Sequence, residues 1–145
     1  MSKTNAWENA LLLLLFNNTN AANIGDATGL RGSSTAGNLY LSLHTADPGE
    51  AGNQTTNEAA YTSYARKAVA RSGAGWTVST NSAVLAANAD FITATGGSET
   101  ETYMGIGTDP SGTGTLLYKG TISPNIVVSN GVTPTLTTGT TVTED

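Results

Sequence analysis

Leu39-Tyr40-Leu41-Ser42-Leu43-His44-Thr45-Ala46-Asp47-Pro48-Gly49 is the stretch on which the fold turns. Leucine recurs at every second position, and Tyr40, Ser42 and His44 fill the places between. Side chains of an extended chain point alternately to the two faces of a sheet, so this is the pattern of a half-buried strand. Asp47-Pro48-Gly49 then stops it with turn chemistry: a side chain that bonds its own backbone, a preset φ and a residue free to take positive φ.

Short segments of the same kind continue towards the C-terminus. Tyr61 to Arg71 alternates small and charged residues and reads as a second strand. Trp76 and Val78 mark a third after Gly73-Ala74-Gly75. Ser82 to Ala89 is alanine-rich and ambiguous, and Phe91-Ile92 is short. Glu99 to Ile106 follows, then Thr115 to Ile122 after the Asp109-Pro110-Ser111-Gly112 turn. Asn125 to Ser129 leads into Asn130-Gly131, the strongest short hairpin signal in the chain. Thr135-Leu136-Thr137 and Thr140 to Thr143 end it. Short strands punctuated by Gly, Pro and Asn predict an antiparallel β-sandwich or jelly-roll-like domain of about seven or eight strands. No fixed-period repeat of the solenoid kind is present.

Towards the N-terminus the period changes. Asn5 followed by Glu8 has the spacing of a helix cap with an acid in the first turn. Trp7, Ala10, Leu11, Leu14 and Leu15 recur at helical spacing, so one short helix is expected. Leu12, Leu13 and Phe16 lie outside that stripe, which leaves the helix apolar nearly all round. Such a helix has to be covered on more than one side, so Trp7, Leu11, Leu12, Leu14, Leu15 and Phe16 are the candidate subunit-contact residues. Residues 17–37 are polar, without period, and read as a long loop. The expected organisation is a helix and extended arm over residues 1–37 and a β-sandwich domain over 38–145. The apolar run is too short to span a membrane. Glu8 and Asn9 stand where a secretory signal needs positive charge, so a cleaved signal is not expected.

Composition narrows the function. Of 145 residues, 67 are Thr, Ser, Asn or Gly, and charged residues make up 12%, half the usual share. Threonine suits this: its branched Cβ favours extended backbone and its hydroxyl keeps a strand face wet without charge. The formal net charge is −5 with only six Lys and Arg. Neither nucleic acid nor anionic lipid is an expected partner. The one basic cluster, Arg66, Lys67 and Arg71, reads as a solvated strand face. Cysteine is absent, which removes disulfides, thiolate zinc sites and a cysteine nucleophile.

Catalytic signals are weak. His44 is the only histidine, so a Ser-His-Asp triad would have to use it. With Asp47 and Glu50 it could also be imagined as a metal site. Neither has a recognised spacing, and the plainer reading is a strand-end histidine beside a turn aspartate that bonds its own backbone. Glu99 and Glu101, two apart on one strand, superficially suit a paired-acid glycosidase. Adjacent acids on one strand are more often a solvated face. No nucleotide-binding glycine motif is present. We expect no enzyme activity, no catalytic residue, no metal, no cofactor and no small-molecule substrate.

The blocks Leu39 to Gly49, Tyr61-Thr62-Ser63-Tyr64-Ala65-Arg66, Gly105-Ile106-Gly107-Thr108 with Gly114 to Gly120, and Gly131-Val132-Thr133-Pro134 together resemble a family of small tailed-bacteriophage virion proteins. The resemblance runs from about residue 39 to the end. Its members are labelled as phage tail, tail-fibre or virion proteins, which implies a particle component assembled in the host cytoplasm and brings no catalytic residues. Two functions follow. The first is a capsid decoration (cement) protein on the outer surface of the head, bound to the major capsid protein and to copies of itself, as a homotrimer at three-fold sites. The low-charge surface suits crowded packing. The alternative is a tail-fibre or tail-tip protein involved in host receptor binding.

Overall fold

The computed structural model describes residues 2–144. Its elements are α1 (Asn5–Asn17), β1 (Asn38–His44), β2 (Lys67–Ala70), β3 (Trp76–Ser79), β4 (Ser82–Leu85), β5 (Ala89–Asp90), β6 (Glu99–Gly107), β7 (Leu116–Val128), β8 (Thr135–Leu136) and β9 (Thr141–Thr143). The chain is mainly β, with antiparallel strand pairs and one helix near the N-terminus, the class that the alternation and turns predict. It has nine strands among the described residues where seven or eight were expected. The strands group as β2-β1-β6-β7, β3-β4-β9 and β5-β8. No helix among the described residues is long and apolar enough to cross a membrane.

Contacts divide the chain into two compact units. One gathers the N-terminal segment up to Asn38, Val69–Asn88 and the C-terminal segment from Leu136. The other joins Leu39–Ala68 to Ala89–Thr135.

In the first unit α1 lies on β3 and β4. Its buried line is Glu8, Leu12 and Phe16, spaced by four. That is a different face from the expected stripe of Trp7, Ala10, Leu11, Leu14 and Leu15. Trp7, Leu11, Leu14 and Leu15 are only half-buried. The discrepancy has a simple source: with apolar residues on all sides, periodicity cannot say which face meets the sheet. Phe16 meets the buried Trp76 edge-on, ring centroids 4.6 Å apart, a geometry that adds to the area both rings bury. The cap sits one residue earlier than expected. Thr4 is the N-cap, in extended conformation, and its carbonyl accepts the Glu8 N–H at 3.0 Å. At the other end Asn18 turns left-handed and closes the helix on the Leu13 carbonyl.

The last turn of α1 has no basic residue of its own. Arg71 supplies one from outside. Its Nε donates to the Leu15 carbonyl at 2.7 Å and its Nη2 to the Leu14 carbonyl at 2.9 Å. These are among the carbonyls that a helix end leaves without partners, and a cation there also opposes the negative end of the helix dipole. Nη1 of the same guanidinium holds the Ala36 carbonyl at 3.0 Å and Ser33 Oγ at 3.3 Å. The 17–37 loop is further closed by Asn18, whose amide exchanges hydrogen bonds with the Ser33 backbone. The loop is therefore irregular but internally bonded.

In the second unit β1 is a central strand, flanked by β2 and β6. Leu39, Leu41 and Leu43 are buried, as the alternation predicts, but Ser42 and His44 are buried too. The expectation of a half-buried strand therefore fails for the polar face. Two other expected strands change shape. Tyr61 to Arg71 is a strand only at Lys67–Ala70; residues 61–66 instead make a single bridge from Thr62 to Gly96, a turn with the Tyr64 N–H on the Tyr61 carbonyl, and side-chain bonds. The strands expected at Thr115–Ile122 and Asn125–Ser129 are one strand, β7, with a large bulge. Tyr103 pairs with Thr121 and Glu101 with Ile126, so Ile122, Ser123, Pro124 and Asn125 stand opposite Thr102 alone. Asn130-Gly131 does form a turn, with Gly131 at φ 87° and the Val132 N–H on the Ser129 carbonyl. It is not a hairpin, because β7 pairs with β6 and β8 with β5.

Two substitutions separate these contributions. Phe16→Ala should lower stability by about 3–5 kcal/mol, the usual cost of emptying an aromatic core site. Arg71→Ala should cost about 1.5–3 kcal/mol through lost charge-assisted hydrogen bonds. Urea denaturation of the purified variants measures both, and a loss below about 0.5 kcal/mol for Arg71→Ala would mean that water replaces the guanidinium at no cost.

Candidate functional site

The second face of the β1–β6 pair carries most of the polar chemistry of the second unit. Ser42 pairs with Gly105, and Tyr40 with Gly107. A side chain at either glycine would have to displace the side chains packed on it. A Cβ at Gly105 would lie 2.6 Å from Ser42 Oγ and 2.8 Å from His44 Nε2, and one at Gly107 would lie 2.1 Å from the Gln54 side chain. The glycines of the Gly105-Ile106-Gly107 block thus open a window through which polar side chains pack onto the strand.

His44 fills part of that window and is fully buried. Its Nδ1 faces the Thr56 carbonyl at 2.9 Å, so Nδ1 carries the proton, and Nε2 accepts from Ser42 Oγ at 2.8 Å. Burial holds the imidazole below its usual range, more strongly than the Thr56 carbonyl raises it. The histidine is therefore a neutral, doubly bonded core group. A Ser–His contact exists, but the group behind the histidine is a carbonyl rather than a carboxylate, and Gly105 packs directly over both atoms.

Asp47 and Glu50 are not brought to His44. Asp47 Oδ1 accepts the Gly49 N–H at 2.8 Å, as a turn aspartate does. Both carboxylates instead reach Lys119 Nζ, at 3.0 and 3.1 Å. The Gly49 N–H and Lys119 hold the Asp47 carboxyl below its usual range, and the two acids raise the Lys119 ammonium. Among the described residues no cluster of three His, Asp or Glu groups is placed to hold a metal. A groove of about 340 Å³ lies between the 49–52 turn and the start of β7. Lys119 lines it, with its charge already committed to the two acids.

Gln54 and Arg66 are the residues that sequence reasoning missed. Gln54 is fully buried, and its side-chain amide grips the Asp109 backbone at both ends: Nε2 donates to the Asp109 carbonyl at 3.2 Å and Oε1 accepts the Asp109 N–H at 3.0 Å. Arg66, read as part of a solvated face, has a side chain only 2% exposed. Its Nε and Nη2 form a fork on the Glu58 carboxylate at 2.6 and 2.8 Å. Nη1 and Nη2 also donate to the Asp109 and Gly112 carbonyls at 3.0 and 2.7 Å. Tyr64 completes the cluster, donating from Oη to Glu58 Oε1 at 3.0 Å and accepting the Leu43 N–H at 3.2 Å. Glu58 raises the guanidinium further, and burial raises the Tyr64 phenol.

This lattice locks two loops, 45–58 and 108–114, to the central strands. Glu58 is delivered to it by a short antiparallel run beside the end of β1, with the Thr45 N–H on the Asn57 carbonyl and the Ala59 N–H on the Leu43 carbonyl. No sequence signal separates Arg66, since it stands in the same alternating segment as Lys67, which is exposed.

The Glu99 and Glu101 pair also departs from expectation. Glu101 is fully buried rather than solvated. Glu99 Oε1 accepts the Ala60 and Tyr61 N–H groups at 2.9 and 2.7 Å. The two acids sit side by side, not across a cleft.

Buried polar groups thus fix loops onto a low-charge β framework. A family model, that of podophage GP4 fiber I protein gp80, matches residues 2–144, and the chain belongs to that family. It is a phage virion structural protein. No curated protein matches the chain.

Removing one partner from the buried lattice should be costly. Arg66→Ala should destabilise by about 2–4 kcal/mol, because the half-buried Glu58 loses its cation and the Asp109 and Gly112 carbonyls lose their donors. Arg66→Lys should recover only part, since an ammonium cannot serve the fork and both carbonyls. Chemical denaturation of the three proteins is the check, and equal stability of Arg66→Ala and wild type would show that the ion pair is dispensable.

Proposed function

We propose that this protein is a fibre subunit of a tailed-phage virion, used at the tail or tail tip. The observation that carries this reading is the reach of the family match, which spans both compact units and every described element. Capsid decoration is the second reading. Its specific support is the low-charge Thr, Ser, Asn and Gly surface, which suits close packing on a head lattice. The family description is the more specific of the two observations and favours the fibre.

The locked loops support a role in contact. Binding surfaces are commonly loops positioned by a rigid framework, and the Gln54 and Arg66 contacts supply that rigidity. Self-association is proposed through α1. Leu12 and Phe16 are already covered within their own unit, so the contact rests on the half-buried line of Trp7, Leu11, Leu14 and Leu15. A cyclic homo-oligomer, a trimer in the simplest case, would cover that line in every copy.

Antibody labelling of intact particles should mark the tail region, and densitometry should give a copy number matching a set of fibres. Uniform labelling of the head with a lattice-scale copy number would transfer the assignment to decoration. The double variant Leu11→Asp with Leu15→Asp should give a folded protein of smaller oligomer size by light scattering, with far-UV circular dichroism as the control. An unchanged oligomer would remove α1 from the contact.

A further inference from the structure

Glu101, on β6, is fully buried, and no hydrogen-bond donor among the described residues reaches either of its carboxylate oxygens. An ionised carboxylate in that position has lost its water and gained nothing in return. Its neighbour is Glu99, two residues back on the same strand and so on the same face of the sheet, and the charge of Glu99 acts on it. Glu99 already has two donors on one oxygen, the Ala60 and Tyr61 N–H groups. Between two ionised carboxylates the Glu99–Glu101 contact is repulsive. One proton, carried by Glu101, turns it into a charge-assisted O–H···O bond.

We propose that Glu99 and Glu101 hold one proton between them at neutral pH, forming a clasp that fixes residues 60–62 to the start of β6 and opens in alkali. The same place is tied by the Thr62 N–H on the Gly96 carbonyl and the Thr95 N–H on the Thr62 carbonyl. Few charged groups face the pair. On β6 there are the two acids themselves. From the 60–62 segment comes Tyr61, whose hydroxyl donates to the Ile92 carbonyl at 3.0 Å. Across the sheet the register partners are the apolar Ile126 and Val128. Arg66, the buried cation of this unit, is engaged by Glu58.

Burial, and after it the charge of Glu99, raises the Glu101 carboxyl from 4.5 to about 8, while Tyr61 is pushed up to about 12, outside that window. Below pH 4.5 Glu101 is protonated in both folded and unfolded chains, so its contribution to stability is fully present. Between 4.5 and about 8 the unfolded chain releases the proton and the folded one keeps it. Folding therefore weakens as pH rises, by up to about tenfold in the equilibrium constant per pH unit for one proton. Above about 8 the folded pair ionises as well and the clasp opens.

Urea midpoints of wild type and Glu101→Gln, measured from about pH 5 to about pH 9, test this directly. Relative to Glu101→Gln, wild type should lose stability as pH rises through the range; the opposite slope from His44, whose buried imidazole stays neutral in the fold, is shared by both proteins and cancels in the difference. Amide exchange at Ala60 and Tyr61, corrected for the intrinsic pH dependence, should accelerate above about pH 8 in wild type only. Parallel pH slopes for the two proteins would overturn the proposal. Should the variant fail to fold, carboxyl-labelled glutamate in wild type decides by NMR: one resonance titrating near pH 8 supports the clasp, and titration of every glutamate in the ordinary range of about 4–5 refutes it.

Discussion

The second unit depends on a buried cation that is satisfied from four directions. Arg66 cannot lose its charge in a protein, and its side chain is withdrawn from water. Such a group is tolerated only where acceptors surround it. Glu58 supplies the counter-charge in a planar fork, and the Asp109 and Gly112 carbonyls take the remaining donors. Because those acceptors come from two separate loops, satisfying the guanidinium fixes both loops at once. Gln54 repeats the device with a neutral group, gripping the same Asp109 backbone. Residues 108–114 are thus ordered by bonds made to them from elsewhere.

That arrangement needs space beside a central strand, and the glycines of β6 provide it. A strand covered on both faces usually reads as a continuous apolar run. Here one face is leucine-rich and the other is built from Ser42, His44 and Gln54 against Gly105 and Gly107. The polar face is dry without being hydrophobic, because its groups bond one another and the backbone. A neutral histidine suits this role, since it offers one donor and one acceptor in opposite directions.

This explains which parts were legible in the sequence. Leu39, Leu41 and Leu43 announced β1 through their alternation, and Asp47-Pro48-Gly49 announced its end. Trp76 with Val78, Glu99 to Ile106 and the C-terminal threonine segments were legible for the same reason. Periodicity reports burial only when buried residues are apolar, so the burial of His44, Gln54, Arg66 and Glu101 left no trace in it. The helix failed differently. Its existence was plain, but a nearly uniform leucine run cannot reveal that Leu12 and Phe16, rather than Leu11 and Leu15, meet the sheet. The structural reading of His44 and Asp47 was legible because neither had partners at a catalytic spacing. Arg66 and Glu101 read as solvated because the residues around them in sequence are small or polar, while the packing that buries their side chains comes from distant segments.

Arg66 and Arg71 share one further property. Apart from Glu58 and Ser33 Oγ, their acceptors are main-chain carbonyls: Leu14, Leu15, Ala36, Asp109 and Gly112. A carbonyl is present whatever side chain its residue bears. The segments held in this way are therefore anchored by their path and not by their composition. Side chains at the tips of such loops can be exchanged while the anchoring geometry stays the same, which gives a surface free to diversify over a framework that does not have to be rebuilt each time.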